Sequence, residues 1–456
     1  IIDPHGDFAI NNMKFIPGSR LNDVVYFNPA DTAYPLGFNP LEVTNPNQKT
    51  NISSEVIGVL KRMFGDSWGP RLEYILRYTI LALLDRPETT MLDITRMLTD
   101  KNFRKETLGY CRDTVVLQFW NVEFASWNDK FVAEAVAPVL NKVGAFTANP
   151  IIRNIIGQPK STFNIRQIMD EGRILIVNLS KGLIGEDNAA ILGSFLVTKI
   201  QLAAMSRSDI PDIRDRRPFY LYVDEFQNFA TDSFATILSE ARKYGLNLTV
   251  ANQYISQMNE TVRDAVFGNV GTMISFRVSA DDAPILAKQF EPNFEAVDLL
   301  QMHNRNFVIN MVIGGEKTPA FSARTLELPP SQADNTPHII EHSRRMYSRS
   351  REDVEREITA AIMPNHRPKN QPAQPRPQAV AAAALAQPVK KTASQPAQKT
   401  NSAANTQPAT PQAATNSGEV ILQIRGNNTL NKPADSTNPA ATTTPKKRRR
   451  RRKKNT

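Results

Sequence analysis

Phe219-Tyr-Leu-Tyr-Val-Asp-Glu225 is the strongest indication of the fold, because an apolar run that ends in two adjacent carboxylates is typical of nucleotide-hydrolysing α/β proteins. Its aromatic and β-branched residues predict a strand buried on both faces of a parallel sheet. The last residues of such a strand reach the ligand crevice at the carboxyl edge of the sheet. There Asp224 could hold Mg²⁺, directly or through water, and Glu225 could orient the attacking water. The alternative is that Asp224 and Glu225 are ordinary loop acids near the start of a helix, and this stretch alone does not distinguish the two interpretations.

The residues that follow complete a strand-helix-strand unit. Apolar residues recur at helical spacing from Phe234 to Ala241, and Gly245 is placed to end the helix. Leu246 to Ala251 then forms a second short apolar run that leads to Gln253. Because parallel strands end at the same edge of a sheet, a polar amide is expected there beside the two acids.

Three stretches of this region carry a family resemblance. They are Tyr222-Val-Asp-Glu-Phe-Gln-Asn-Phe229, Glu240-Ala-Arg-Lys-Tyr-Gly245 and Ala251-Asn-Gln-Tyr-Ile-Ser-Gln-Met258. They resemble the TraG/TraD-type coupling ATPases of conjugative DNA transfer, within the HerA/FtsK group of ring-shaped DNA motors. The resemblance extends over about the first 330 residues. It implies a RecA-like P-loop NTPase core that binds ATP and Mg²⁺, with Asp224 and Glu225 as the Walker B acids and Gln253 as the sensor of the γ-phosphate.

The first residues fit the same family. Ile1-Ile-Asp-Pro-His-Gly-Asp7 looks like the strand and turn that these proteins place just after the phosphate-binding loop and its helix. The resemblance implies that Asp3 lies near the nucleotide, with a magnesium or water role. The alternative is that Asp3-Pro4 is an ordinary turn starter.

The phosphate-binding loop itself is not found in the printed sequence, which contains no Gly-x-x-x-x-Gly-Lys-[Ser/Thr] motif. Gly157-Gln-Pro-Lys-Ser-Thr162 has Pro159 where the loop needs glycine. Gly315-Glu-Lys-Thr318 follows a strand-like run and is interpreted as a hairpin turn. We therefore expect a fragment that starts after the P-loop and that hydrolyses no ATP on its own.

Composition divides the chain into a neutral body and a basic end. The formal net charge is +10, and nine of these charges come from Lys446 to Lys454. From Pro364 onward Pro, Ala, Gln, Thr and Asn dominate, with few large apolar residues, so we expect a disordered tail over residues 363–456. Its basic run would attract DNA, RNA or an anionic lipid surface without reading sequence.

Other function classes find little support. A single cysteine, Cys111, excludes an intrachain disulfide, and the five histidines show no metal-ligand spacing with it. No uninterrupted apolar run approaches the roughly 18 residues that span a bilayer. We expect a cytoplasmic protein, which an unseen amino-terminal anchor could hold at the cytoplasmic face of the inner membrane.

An all-helical insertion is predicted over residues 49–172. Coupling ATPases of this family carry such a domain on the ring face where DNA enters, and Trp68-Gly-Pro-Arg-Leu-Glu-Tyr74 resembles its first helix pair. The segment has no basic stripe with interleaved aromatics, so DNA contact rests on resemblance, and a cap for a protein partner fits as well. The predicted helices are Ser53–Phe64, Arg71–Leu84, Leu92–Leu98 and Asp129–Leu140, with Pro87, Gly109 and Pro138 as interruptions or boundary markers.

The α/β alternation resumes at residue 173 and includes a predicted strand over Thr272 to Val278. Arg277, near its end, is placed where a motor of this class could send an arginine to the nucleotide of a neighbouring subunit. The alternative is a surface residue paired with Asp281 or Asp282. Arg242, on the helix before Gln253, is a comparable candidate that ranks no higher.

The sequence thus predicts a RecA-like core in two parts, 1–48 and 173–335, with a helical extension over 336–362. The function that it favours is an ATP-driven, DNA-translocating homo-hexamer that couples DNA to other secretion or transfer components. A HerA/FtsK-like pump for repair or segregation is the near alternative, and a protein-secretion ATPase is a third. The alternative of a different class is a non-enzymatic scaffold that binds nucleic acid through its tail.

Overall fold

The computed structural model of the chain describes residues 1–331 and 333–363. Its central element is a five-stranded, all-parallel sheet with the strand order β2-β3-β1-β4-β5, which confirms the predicted α/β class. The strands of this sheet are β1 (Ile2–Asp3), β2 (Val24–Phe27), β3 (Ile174–Asn178), β4 (Phe219–Val223) and β5 (Leu246–Val250). Two smaller sheets contain β6 (Met273–Ser275), β7 (Asn306–Asn310), β8 (Val312–Ile313), β9 (Glu316–Lys317) and β10 (Phe321–Arg324).

Helices pack against the sheet and fill the long segment between β2 and β3. They are α1 (Asp7–Met13), α2 (Lys49–Phe64), α3 (Pro70–Asp85), α4 (Asp93–Thr99), α5 (Lys101–Leu108), α6 (Thr114–Gln118), α7 (Asp129–Thr147), α8 (Pro150–Ile156), α9 (Ile165–Glu171), α10 (Lys181–Ile184), α11 (Glu186–Ser206), α12 (Asp232–Glu240), α13 (Glu260–Asn269), α14 (Ala283–Phe290), α15 (Ala296–Leu300), α16 (Thr336–Tyr347) and α17 (Arg351–Ile362). The predicted tail, apart from Met363, lies outside the described residues.

The prediction that β4 is buried on both faces is wrong. Leu221 and Val223 are buried, whereas Tyr220 and Tyr222 keep 61% and 42% of their surface exposed. Successive side chains of a strand point to opposite faces, so one face of β4 packs in the core and the other is open. Tyrosine has a high strand propensity in either setting, and the apolar run therefore gave no sign of the open face.

The helices between β2 and β3 share a core with the sheet. Ile75 of α3 and Met97 of α4 are fully buried, and they belong to the same hydrophobic cluster as Val177 of β3 and Phe195 of α11. Burial of this apolar surface is the main favourable contribution to packing the helices against the sheet. The insertion is therefore helical as predicted, while its limits at residues 49 and 172 stay a prediction.

Pro138, predicted as an interruption or boundary marker, is neither, because α7 continues through it. Proline removes a backbone donor and crowds the preceding turn. The helix tolerates it where Val136 and Val139, on either side, are buried, since packing supplies most of the stability of a helix. Gly109 and Pro87 do lie just beyond the ends of α5 and α3.

The strand predicted over Thr272 to Val278 is shorter and belongs to a different sheet. β6 and β10 both pair antiparallel with β7. This sheet has its own small core, which includes Phe290 of α14 and Leu299 beside it. The Gly314-Gly315 turn joins β8 to β9, which confirms the hairpin interpretation of Gly315-Glu-Lys-Thr318.

The last two described helices pack back on the parallel sheet and on the helical segment. The hydroxyl of Ser343 in α16 accepts a hydrogen bond from the Tyr26 N–H at 2.9 Å, and Ile339 is buried beside Val24. In α17, Glu355 Oε1 accepts from Asn154 Nδ2 at 3.1 Å. The two helices therefore connect β2, at one edge of the sheet, to α8.

One helical stretch of the described chain, Glu186–Asp209, has the length and mean hydropathy of a membrane span. A second, Asp129–Thr147 with Pro150–Ile156, qualifies only if a pair bent by 98° is counted as one helix. In the first stretch, 72% of the apolar part is buried inside the protein. Its apolar surface is therefore already occupied by the core.

Candidate functional site

Polar residues gather where the parallel strands end. Asp3 ends β1, Asp224 and Glu225 follow β4, and Gln253 lies in the loop after β5. These strands are neighbours that run in the same direction, so their carboxyl ends meet at one edge. Within the described residues, the structure thus brings four of the five predicted site residues to one edge of the sheet. What each of them does stays a prediction.

Asp224 lies at the junction of β4 and β1. Its N–H donates to the Ile2 carbonyl at 3.0 Å, and its Oδ1 accepts from the Glu225 N–H at 3.1 Å. Burial raises the pKa of Asp224 above its ordinary value, and the charges of Glu225 and Asp3 raise it further, whereas His5 lowers it. A carboxylate beside other negative charges gains from a bound cation.

Glu225 has an unusual backbone conformation and a buried side chain. Its φ angle is 47°, in the left-handed region that residues other than glycine adopt rarely. The side chain is 8% exposed, and Oε2 accepts a hydrogen bond from Gln227 Nε2 at 2.5 Å. Such strain persists where several contacts fix the turn, and it is common at functional sites.

Gln227 is a site residue that the sequence prediction missed. Besides the bond to Glu225, its Nε2 donates to Gln257 Oε1 at 2.8 Å, in the turn after β5. Its own Oε1 is buried and has no hydrogen-bond partner among the described residues. Gln227 faces Glu225, two residues earlier, only because the backbone turns at Glu225. The spacing of the two residues in the sequence does not show that turn.

A second missed residue, Arg62, reaches the same turn from the helical segment. The guanidinium at the end of α2 donates to the Gln227 carbonyl, to the Asn228 carbonyl at 2.7 Å, and to Ser194 Oγ of α11 at 3.3 Å. The turn that bears Glu225 is therefore held from outside the sheet.

Asp3 is fully buried and both of its carboxylate oxygens are in use. Oδ1 accepts from the His5 N–H and Oδ2 from the Ala9 N–H, each at 2.8 Å. These bonds organise the turn after β1 and the start of α1, as in the alternative interpretation of Asp3-Pro4. The charge of Asp3 still acts on Asp224, so proximity to the acids is shown while nucleotide contact stays a prediction.

Gly6 is needed in this turn. Its φ angle is 94°, and a Cβ there would lie 2.8 Å from Oδ1 of Asn178. Asn178, at the end of β3, is itself fixed, because its Nδ2 donates to Tyr26 Oη at 2.9 Å and its Oδ1 accepts from the Ser180 N–H at 3.1 Å. The turn therefore packs against the neighbouring strand end too closely for any side chain.

Gln253 is exposed, in the loop between β5 and the short turn that holds Gln257. Ala251, at the start of that loop, is tied to the acid turn by two backbone bonds. Its N–H donates to the Val223 carbonyl at 3.0 Å, and its carbonyl accepts from the Phe226 N–H at 2.9 Å. Gln253 is thus free to meet a ligand at the edge where the acids lie.

Arg277 is the one predicted site residue that the structure does not bring to this edge. It is exposed, and it follows β6 in the antiparallel sheet. It forms no salt bridge with Asp281 or Asp282 in the described part of the chain, so the alternative pairing is not seen either. A role toward a neighbouring subunit stays a prediction.

The residues at the edge suit Mg²⁺ better than a metal held by protein alone. Over residues 1–331 and 333–363, no group of three or more His, Cys, Asp or Glu side chains could hold a metal ion. Mg²⁺ is usually bound by one or two carboxylates together with water and substrate phosphates. Both oxygens of Asp3 already accept backbone hydrogen bonds, and binding of the ion by Asp224 stays a prediction.

A cavity of about 560 Å³ is lined by other residues, among them Glu42, Arg166, Arg173 and Lys199. Lys199 Nζ donates to the Glu42 carbonyl at 2.8 Å. Burial lowers the pKa of Lys199 to about 8, although the charge of Glu42 opposes the shift. This cavity contains none of the predicted site residues.

A parallel sheet with acids after one inner strand and an amide after the neighbouring edge strand is typical of the RecA-like class of nucleotide-binding folds. The comparisons agree with this class. Residues 218–289 match the family described as the TraM recognition site of TraD and TraG. A search among curated protein sequences found no match.

Among solved structures, the chain is similar to the bacterial conjugative coupling protein TrwB. The unbound monoclinic form of TrwBdeltaN70 has a TM-score of 0.50 and 14% identity, over 73% of this chain and 78% of that chain. The trigonal form in complex with sulphate has a TM-score of 0.51 and 14% identity, over 73% and 80%. TrwB in complex with the non-hydrolysable ATP analogue ADPNP has a TM-score of 0.49 and 14% identity, over 73% and 79%.

These matches confirm the RecA-like fold and the resemblance to the TraG/TraD-type coupling proteins. The sequence match covers β4, the acid turn, β5 and the segment up to α14. The region that carries the resemblance is thus the region that carries the acids.

Proposed function

We propose that this chain is part of an ATP-driven motor that couples DNA to a conjugative or type IV secretion apparatus. The observation that carries the proposal is the placement of Asp224 and Glu225 at the carboxyl end of β4, inside the segment that matches the TraD and TraG family. That family description names a recognition site for TraM, which favours coupling over a pump for repair or segregation.

In this proposal the edge of the parallel sheet binds ATP with Mg²⁺. When bound, the ion neutralises phosphate charge, and Asp224 holds it directly or through water. Glu225 orients the attacking water, and Gln253 contacts the γ-phosphate from the loop after β5. Support comes from the shared edge, from the raised pKa of Asp224 next to other acids, and from the exposure of Gln253.

The proposed chemistry also needs a phosphate-cradling backbone and its lysine, and the given sequence holds no P-loop motif. The acids alone cannot neutralise the charge that develops on the transferred phosphoryl group. A protein made of these 456 residues alone should therefore hydrolyse no ATP.

The assembly that we propose is a homo-hexameric ring that translocates DNA, with Arg277 directed to the nucleotide of the adjacent subunit. The partners are DNA and other transfer components, including a TraM-like protein, and the basic run at residues 446–454 adds contact with DNA or an anionic surface. The motor works in the cytoplasm, at the cytoplasmic face of the inner membrane.

ATP hydrolysis by the whole gene product, with and without DNA, tests the proposal. We expect Mg²⁺-dependent turnover that DNA stimulates, and none from the printed chain alone. A whole gene product that bound DNA but neither bound nor hydrolysed ATP would instead support the non-enzymatic scaffold. Robust hydrolysis by the printed chain, free of contaminating enzyme, would show that its phosphate site lies within these residues.

A further inference from the structure

The proposed function gives no part to the side chain of Gln227, although this residue is the buried partner of Glu225. Gln227 Nε2 and Glu225 Oε2 are 2.5 Å apart, and each residue is 8% exposed. A glutamate side chain has several rotatable bonds, so its carboxylate keeps one position only where a neighbour holds it. Here the Gln227 amide is that neighbour.

The Gln227 amide is held in turn from the loop after β5. Its Nε2 also donates to Gln257 Oε1 at 2.8 Å, while its Oε1 is buried without a partner in the part of the chain that the structure describes. An unpaired buried acceptor is unfavourable, so this orientation is kept for its two donor contacts. Gln227 therefore connects Glu225 to the loop that also carries Gln253.

The backbone of Gln227 is held from the helical segment. Arg62 donates to the carbonyls of Gln227 and Asn228, and it is 165 residues from Gln227 in sequence. The same guanidinium bonds Ser194 on α11, a helix that packs against α2. Bonds from a charged guanidinium are stronger than neutral ones, so Arg62 adds to the backbone bonds that hold the turn.

We infer that Gln227 is a positioning residue for Glu225, and that Arg62 and Gln257 set the position of Gln227. The inference rests on the proposed function, since it concerns the same hydrolytic step. Its consequence is that the helical segment acts on the hydrolysis rate through Arg62 without touching the nucleotide. Movement of α2 or of the loop after β5 would shift the Glu225 carboxylate and change turnover.

The test is a double-mutant cycle on the whole gene product. Gln227→Met keeps the length of the side chain and removes the amide. We expect kcat to fall about 10-fold or more with KM for ATP within about 2-fold, because a misplaced catalytic group slows the chemical step. In a Glu225→Gln background the same substitution should change kcat by less than about 2-fold, since its effect passes through Glu225.

Gln257→Ala and Arg62→Ala extend the cycle in case Gln227→Met fails to fold. Both residues are exposed, so removal of either side chain leaves no buried cavity. Both should lower kcat in the wild-type background and have little effect in the Gln227→Met background. Arg62→Lys, which retains one charged donor, should recover part of the loss.

Matched controls separate this effect from general damage. In α9, Gln167 donates to Glu171 at 2.6 Å, the same pairing at the surface, and Gln167→Ala should leave kcat unchanged. In α5, Arg104 donates to the carbonyls of Met97 and Leu98, as Arg62 does at the acid turn, and Arg104→Ala should also leave kcat unchanged.

Hydrogen exchange gives a readout that does not need hydrolysis. Arg62→Ala and Gln227→Met should each increase exchange of the backbone amides of Phe226 to Phe229, whereas Arg104→Ala should not. If the whole gene product had no ATPase activity, the proposed function would be wrong. The exchange measurement would then decide whether Arg62 and Gln227 hold the turn that bears Glu225. Unchanged exchange, an unchanged or raised kcat in Gln227→Met, or an equal fall in both backgrounds would overturn the positioning role.

Discussion

The N–H of Asp224 donates to the carbonyl of Ile2 over 3.0 Å, which fixes the end of β4 to the end of β1. The acid pair therefore depends on the turn that follows β1, where Asp3 binds two backbone N–H groups and Gly6 approaches Asn178. Changes in that turn should reach Asp224 through the strand pair.

Gly6→Ala should destabilise the protein by about 1–3 kcal/mol, because alanine is strained at a φ of 94° and its Cβ would meet Asn178 Oδ1. Gly144→Ala is the matched control. A Cβ at Gly144 in α7 would have open space, so that variant should be stabilised by about 0.5–1 kcal/mol. Urea unfolding of the three proteins compares them, and equal stability of both variants would contradict the crowded turn.

Lys199→Met should stabilise the protein near pH 7, and the gain should shrink at higher pH. The pKa of Lys199 is lowered by burial from 10.5 to about 8 in the folded state. Below pH 8 the folded protein keeps a buried charge at a cost of up to about 3 kcal/mol. Between pH 8 and 10.5 the folded protein releases the proton while the unfolded chain retains it, so the cost disappears.

Unfolding of Lys199→Met and of the parent chain at pH 7 and pH 10 measures that difference, in which all other titrating groups cancel. Lys130→Met, at an exposed lysine of α7, is the control and should differ from the parent chain by the same amount at both values. A stability gain for Lys199→Met that did not change with pH would mean that Lys199 is not held in its charged form against burial.

Removal of residues 445–456 should weaken nucleic-acid binding without affecting specificity. These residues lie outside the described part of the chain and include nine consecutive basic side chains. Each phosphate that these side chains no longer neutralise should flatten the log–log salt dependence by up to about 0.9 unit on duplex DNA. Binding to duplexes of scrambled sequence across a salt series is the measurement, and identical slopes would assign the charges to lipid or protein partners.

Arg277→Ala tests an arginine that follows a strand of the antiparallel sheet, whereas the acids follow a strand of the parallel sheet. If Arg277 acts on the nucleotide of a neighbouring subunit, mixed rings of Arg277→Ala and Glu225→Gln subunits should regain some hydrolysis. Each kind of subunit would then supply what the other lacks at a shared site. With assembly confirmed, no recovery at any mixing ratio would count against a role across the interface.

The sequence was sufficient for the parts of the fold that depend on local pattern. The strand-helix-strand unit from Phe219 to Val250 was predictable because apolar periodicity, turn residues and parallel pairing all agree there. The placement of Asp224, Glu225 and Gln253 at one edge followed from that unit.

The rest depends on contacts between distant residues. The pairing of β6 with β7, rather than with the parallel sheet, is decided by a strand some thirty residues later. Gln227 faces Glu225 only because Glu225 adopts a positive φ, and Arg62 reaches the same turn from the helical segment. Neither contact leaves a periodic signal in the sequence.

The turnover of Glu225→Gln in the whole gene product is the decisive measurement of the hydrolytic role, because Glu225 is proposed to act on the water and not on the ground-state nucleotide. ATP affinity should stay nearly unchanged while Mg²⁺-dependent turnover falls by about 10²-fold or more, the scale of a positioned base. ATP hydrolysis at the parent rate in this variant would exclude Glu225 from the catalytic site and would be inconsistent with the proposed motor.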